Sequence, residues 1–165
     1  MITLKNILVA TDFSEPSDAA LTYGRALARN FGATLHVVHV VGYVDALVYG
    51  ADAYAVSIPE LQEDLEQAAR TQLANLLVDN DRPALPIQQV VLTSNMPAAA
   101  IVDYASRQLI DLIVSGTHGR GAVAHLFMGS VAERLVRTAP CPVLTVRHPE
   151  HEFVVPDALV AVARA

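Results

Sequence analysis

Short runs of β-branched and apolar residues alternate with segments of helical period along the chain, and this alternation limits the fold more than any single motif does. The first run, Asn6–Ala10 (NILVA), is apolar at consecutive positions and stops at Thr11-Asp12, as a parallel strand buried on both faces requires. Ser14 can cap a following helix, with Pro16 tolerated in its first turn. Ala20, Gly24, Leu27 and Phe31 then recur at spacings of four, three and four, which predicts one apolar face ending near Gly32.

The remaining segments repeat the pattern. A second strand is predicted over Thr34–Val41 (TLHVVHVV). Residues 43–58 show no period and are expected to be a mobile connection. Residues 59–80 carry Leu61, Leu65, Ala69, Leu73 and Leu76 at helical spacing, with Glu60, Glu63, Asp64 and Glu66 early in the segment, where the macrodipole favours acids. A third strand is expected over 87–92, a third helix over 97–108 with Ile101, Ala105 and Leu109 in register, a fourth strand over 112–115, a fourth helix from Ser130, and a fifth strand over 142–146. Strands that alternate with helices imply right-handed crossovers, hence a doubly wound α/β domain: a parallel sheet with helices on both faces. One such domain is expected over residues 1–147. Residues 148–165 form a tail that is either a short docked helix or a frayed end.

Composition narrows the function. A length of 165 residues, 53% of them hydrophobic and 17% charged, suffices for one domain with a sizeable core. Seventeen acidic against eleven basic side chains give a net charge of −6, so no broad electrostatic footprint for nucleic acid or an anionic membrane is available. Any bound anion must be held locally. The single cysteine, Cys141, excludes an intrachain disulfide framework and a cysteine-based metal cage, and it reads as a packing residue. The apolar run at the N-terminus is far too short for a signal-peptide core or a membrane span, so a cytoplasmic location is expected.

The stretch GTHGRGAVAHLFMGS, residues 116–130, leaves the carboxyl end of a predicted strand, where open α/β sheets bind ligands, and runs into a predicted helix. A connection of this length in a compact domain usually has a function or is disordered. Ser130-Val-Ala-Glu133 has the form of a capping box, and a helix N-terminus among small residues is a ready anion site. A P-loop would need a lysine after its last glycine, but the only lysine is Lys5. Gly119-Arg-Gly121-Ala-Val-Ala124 matches a dinucleotide fingerprint letter for letter, yet it follows a Gly-Thr-His turn and no acid stands roughly 20 residues on to hold a ribose.

Read whole, the stretch has the spacing G-x2-G-x9-G-[ST], filled by Gly116, Gly119, Gly129 and Ser130. This resembles the ATP-binding signature of the universal stress protein family. ILVATDFSEPSDAAL, LHVVHVV, IDLIVSGTHGRG and GSVAERLVRTAPCPVLTVR are also similar to family blocks, in order, over roughly residues 4 to 147. The resemblance implies a five-stranded parallel sheet in the order 3-2-1-4-5, a homodimer paired through Val143–Val146, and the subgroup that binds ATP. An exposed apolar edge at Val143–Val146 independently favours such pairing.

The resemblance also implies residue roles, each beside a plainer one. Ala10, Thr11 and Asp12 would line the nucleotide pocket, although Asp12 can equally be an ordinary turn aspartate. The backbone of Val40 would meet the adenine edge. Gly116 and Gly119 would let the chain approach ribose and phosphate, while Gly129, Ser130 and Val131 would present amides and a hydroxyl to phosphate. Ser130 can also be a simple N-cap. His118 and Arg120 would contact β- or γ-phosphate, or be solvated loop side chains. His125 is read as surface or packing. His36 and His39, three apart in a strand, point to opposite faces and make a poor metal pair. Asn95 stands where the family has glycine before the third helix, and Asn tolerates left-handed backbone there.

These features imply an ATP-binding regulatory or stress-response protein, with Mg2+ accompanying the nucleotide and at most slow hydrolysis. No constellation supplies a positioned water and a base. The alternatives are a nucleotide-free homodimeric interaction protein and a slow Mg2+-dependent ATPase. Neither the stress nor a downstream protein partner can be read from the residues.

Overall fold

The central strand β1, Asn6–Ala10, organises the molecule: Ile7, Leu8 and Val9 are completely buried, and the strand has a parallel neighbour on each side. The computed structural model describes residues 2–44, 58–77, 85–117 and 129–147. Along them run α1 (Glu15–Phe31), β2 (Thr34–Val41), α2 (Ile58–Leu76), β3 (Ile87–Thr93), α3 (Pro97–Arg107), β4 (Leu112–Gly116), α4 (Ser130–Thr138) and β5 (Val143–Val146). The five strands form one all-parallel sheet in the order β3-β2-β1-β4-β5. Most of the expected connection over 43–58 and the expected tail over 148–165 lie outside the described residues, as do His118, Gly119, Arg120 and His125.

Strand alternation divides the core into two layers. Ile7, Val9, Leu35, Val37 and Val114 face α1 and α2, packing on Ala20, Leu21, Ala28 and Leu73. Leu8, Ala10, Val38 and Ile113 face α3 and α4, packing on Ala98, Ile101, Ala105 and Leu135. The approach of α1 to the sheet is close enough that a Cβ on Gly24 would overlap Val9 Cγ2. A glycine in mid-helix, which by itself costs about 1 kcal/mol relative to alanine, is here a packing requirement.

Three expected core positions are corrected. The buried stripe of α1 is Ser17, Ala20, Leu21, Gly24 and Ala28, so Leu27 lies on its flank and Phe31 is 38% exposed. Helix α2 covers only the β2–β3 side of the sheet, and its stripe narrows to Ala69 and Leu73, leaving Leu65 exposed. Leu109 is 77% exposed because α3 ends before it. It takes the left-handed position (φ 51°) of a Schellman-type turn, in which the Ile110 N–H bonds Ala105 O at 3.0 Å. Gly32 plays the same part after α1, with φ 64°.

His36 and His39 do point to opposite faces. His36 is 2% exposed, and its Nδ1 lies 2.8 Å from the Tyr104 hydroxyl of α3, while Nε2 has no hydrogen-bond partner among the described residues. One ring nitrogen is therefore unsatisfied in either tautomer, and a charged ring would be costlier still. Burial accordingly holds the His36 pKa below its ordinary value of 6.5.

The folded state thus binds this proton less readily than the unfolded chain, so the contribution of His36 is complete above pH 6.5 and is lost progressively as pH falls below it. Urea unfolding between pH 7 and 5 is expected to show a falling midpoint in the native protein and a shallower fall in His36→Gln, which cannot take up a proton. Equal slopes would show that His36 is not the group responsible.

Candidate functional site

The order of the sheet places the carboxyl ends of β1 and β4 side by side, with Ala10 paired to Ser115. Crossovers leave these two strands toward opposite faces, α1 to one and α4 to the other, which opens a crevice between them. Ala10, Thr11, Asp12 and Gly116 lie at these two strand ends, Gly129, Ser130 and Val131 at the start of α4, and Val40 near the end of β2.

On the β1 side the chain makes a polar turn. Thr11 is buried, and its N–H extends the ladder to Val38 O at 2.9 Å. Its Oγ1 accepts the Phe13 N–H at 3.0 Å and lies 3.1 Å from Ser17 Oγ. Asp12 Oδ1 accepts the Ser14 N–H at 3.2 Å and the Ser14 hydroxyl at 2.5 Å, so the turn-aspartate role is realised. Ser14 is the N-cap of α1, as expected, in a capping box with Ser17, whose Oγ accepts the Ser14 N–H at 3.0 Å, while the Ser14 hydroxyl donates to Asp12. Acidic charge gathers here: the pKa of Asp18 is raised, first by desolvation and then by repulsion from Asp12. His39 of β2 adds a bond from Nδ1 to Thr11 O, 2.8 Å, and its ring rests on Phe13 with centroids 4.4 Å apart.

On the β4 side the two arms of the glycine stretch meet. Thr117 N–H bonds Val146 O at 2.8 Å, and Gly129 N–H bonds Thr117 O at 2.6 Å, so the strand end and the helix start are joined directly. Gly116 is buried, and a Cβ on it would stand 2.8 Å from Pro16 O. Its lack of a side chain is what lets the first turn of α1 close over the end of β4.

The expected capping box at Ser130 is not formed. The N-cap is Gly129, in extended conformation, because the bond to Thr117 sets the chain up to enter the helix one residue earlier; Ser130 is the first helical residue. Glu133 pairs instead with Arg137, one turn on, at 2.9 Å. A glycine cap brings no side chain to the helix start, so the N–H groups of Ser130, Val131 and Ala132 have no intrahelical acceptor and, among the described residues, no side-chain cap.

A cleft of about 510 Å3 opens between the N-terminus of α3 and the length of α4. Ser130 and Val131 line it, with Asn95, Met96, Ala98, Glu133, Arg134 and Arg137. Ala10, Thr11, Asp12, Val40 and Gly116 do not. Met96, Arg134 and Arg137 were not expected at the site; all three lie on exposed faces whose sequence signal is indistinguishable from ordinary surface. Asn95 is also corrected: it is not left-handed, and its Oδ1 accepts the Tyr43 N–H at 2.8 Å, tying the exit of β2 to the turn before α3. Gln62 and Glu66 of α2 brace the same exit, through Val44 N–H to Gln62 Oε1 and Thr93 Oγ1 to Glu66 Oε1, both 2.8 Å. Those hydroxyl and amide donors, from Thr93 first and then Gln62, lower the pKa of Glu66.

Cys141 is packed against the α3–α4 layer, and burial raises its thiol pKa, in keeping with a packing role. Among the described residues no group of three or more His, Cys, Asp or Glu side chains could hold a metal ion, and no helix is long and apolar enough to cross a membrane.

Residues 3–147 match the model of the Universal stress protein family. A Thermus aquaticus protein described as "Universal stress protein in QAH/OAS sulfhydrylase 3'region" is 36% identical over 143 residues, 87% of this chain and 98% of its own. Among solved structures, universal stress protein UspA from Lactobacillus plantarum is similar with a TM-score of 0.70 and 26% identity, covering 89% of this chain and all of that one. A universal stress protein solved in complex with cAMP shares the fold, with a TM-score of 0.58 and 20% identity over 88% of this chain and 98% of its own.

Gly116→Ala is expected to destabilise the protein by about 1–3 kcal/mol in denaturant unfolding, since the new methyl meets main chain at Pro16 that cannot move without shifting α1. An unchanged midpoint would mean that α1 yields freely at its first turn.

Proposed function

The chain belongs to the universal stress protein family, and we propose that it is an ATP-binding regulatory protein of the cytoplasm whose nucleotide biases its conformation or its dimer contact. The observation that carries this reading is the bond between Gly129 N–H and Thr117 O, which holds an uncapped helix N-terminus against the end of β4. Opposite it stands the acidic turn at Asp12.

That polarity orients the ligand. Phosphates belong at the free amides of Ser130 and Val131, where the helix dipole favours negative charge. Ribose hydroxyls or a phosphate-bound Mg2+ suit the Asp12 carboxylate, which would repel phosphate. The base then lies toward Val40, beside Ala10 and Thr11. Gly119, His118 and Arg120 close the phosphate end in this reading. Mg2+ is carried by the nucleotide's own oxygens with help from Asp12. The cAMP complex of the structural relative supports an adenine nucleotide as the ligand class.

At most slow hydrolysis is expected from the described residues. Asp12 is engaged by Ser14, and His39 donates Nδ1–H to a carbonyl, so neither is poised over an attacking water.

Protein purified without added nucleotide, then denatured, is expected to release an adenine nucleotide. In thermal shift ATP should stabilise the stripped protein by about 2.7 kcal/mol at a hundredfold excess over Kd, and Gly129→Val should lose this response. AMP and cAMP as competitors define the preferred phosphate. No released nucleotide together with no ATP response would leave the nucleotide-free interaction protein as the better account.

The edge strand β5, with Val143 and Leu144 only half-buried, supports pairing with a second copy. Light scattering is expected at twice the chain mass, and a charged substitution at Thr145 should shift it toward the monomer. A monomer mass for the native protein would overturn this part of the proposal.

A further inference from the structure

The β1–β2 ladder ends at the bond from Thr11 N–H to Val38 O. Within β2 the even-numbered main-chain groups face β1: Thr34 N–H bonds Lys5 O, and Val38 O accepts the Thr11 N–H. The odd-numbered groups face β3, as in Leu35 N–H to Pro86 O and Ser94 N–H to Val41 O. Val40 is therefore turned toward the β1 side, and a continued parallel ladder would pair its N–H with Thr11 O and its C=O with Phe13 N–H.

Both partners are diverted. Thr11 O accepts the His39 Nδ1 at 2.8 Å; because a carbonyl only accepts, Nδ1 carries the proton. The Phe13 N–H turns back to Thr11 Oγ1 at 3.0 Å, with Phe13 itself at φ 62° as the chain swings into α1. Phe13 also packs on the imidazole and holds its plane. Among the described residues no bond joins Val40 to Thr11 or Phe13.

We infer that His39 is a positioning residue: by ending the β1–β2 ladder it keeps the N–H and C=O of Val40, the backbone that the family resemblance sets against the adenine edge, clear of β1, and so the preference for adenine over guanine or hypoxanthine depends on His39. The base-selecting half rests on the nucleotide reading above. Adenine offers an acceptor at N1 beside the donor at N6. Guanine and hypoxanthine present the reverse, a donor at N1 and an acceptor at O6, and would meet like groups at both contacts.

The test compares the native protein with His39→Leu and with His39→Asn, whose side-chain amide can replace the Nδ1–H donor. In His39→Leu the Thr11 carbonyl should recruit the Val40 N–H. Exchange of the Val40 amide with deuterium is then expected to slow, and ATP to bind about tenfold more weakly, the share of one ordinary hydrogen bond. ITP binding should be unchanged, so the ATP:ITP preference collapses. His39→Asn should behave as the native protein in both measurements. The proposal is overturned if Val40 exchange is the same in all three proteins, or if the ATP:ITP ratio survives in His39→Leu once that amide has become protected. If the native protein binds neither nucleotide, the nucleotide reading and base selection fall together, while slowed exchange confined to His39→Leu still upholds the ladder-ending role.

Discussion

Everything at the candidate site depends on the sheet growing in opposite directions from β1. Right-handed crossovers send β2 and β3 to one side with their helices on one face, and the return to β4 on the other side puts α3 and α4 on the second face. No helix can cover the seam where the two directions part. All five strands are parallel, so every carboxyl end lies at the same rim, and the seam collects the ends of β1 and β4 with the starts of α1 and α4. A concave site is a geometric by-product of burying Ile7, Leu8 and Val9 on both faces.

The two walls of that seam are chemically unlike for local reasons. The turn after β1 satisfies its own amides with Asp12, Thr11 and Ser17 oxygens, leaving it acidic and closed to anions. The start of α4 is capped by a residue with no side chain, so among the described residues no side-chain oxygen takes up its amides. A serine or aspartate at that cap would typically add about 1 kcal/mol of stability. The helix start forgoes it, and the forgone hydrogen bonds are what an anion can supply.

Legibility in the sequence followed how strongly each feature was over-determined. Asn6–Ala10 reads as a buried parallel strand because nothing else explains consecutive apolar residues ending in Thr-Asp, and the other strands follow once the alternation is seen. Core faces of helices were harder, since a stripe can be drawn through Phe31, Leu65 or Leu109 at proper spacing; helix ends and the narrow cover of α2 exclude them, and those are tertiary facts. Family spacing marked Gly129 and Ser130, but the choice of cap turned on a hydrogen bond from Thr117 that no local pattern encodes. His39 was passed over because it was weighed only as a metal ligand, and its partner lies 28 residues away. The side chains bracing the exit of β2 were invisible for the same reason: Gln62, Glu66 and Asn95 come together only when α2 and β3 are in place.

The bond between Thr117 and Gly129 acts as the stem of a closed ring of chain. Its two ends belong to the rim of the sheet and to α4, so one main-chain bond couples the position of the helix start to the end of β4. Because the stem joins main-chain groups, the side chain at Thr117 can change the chemistry of the rim while the amides at the start of α4 keep their place.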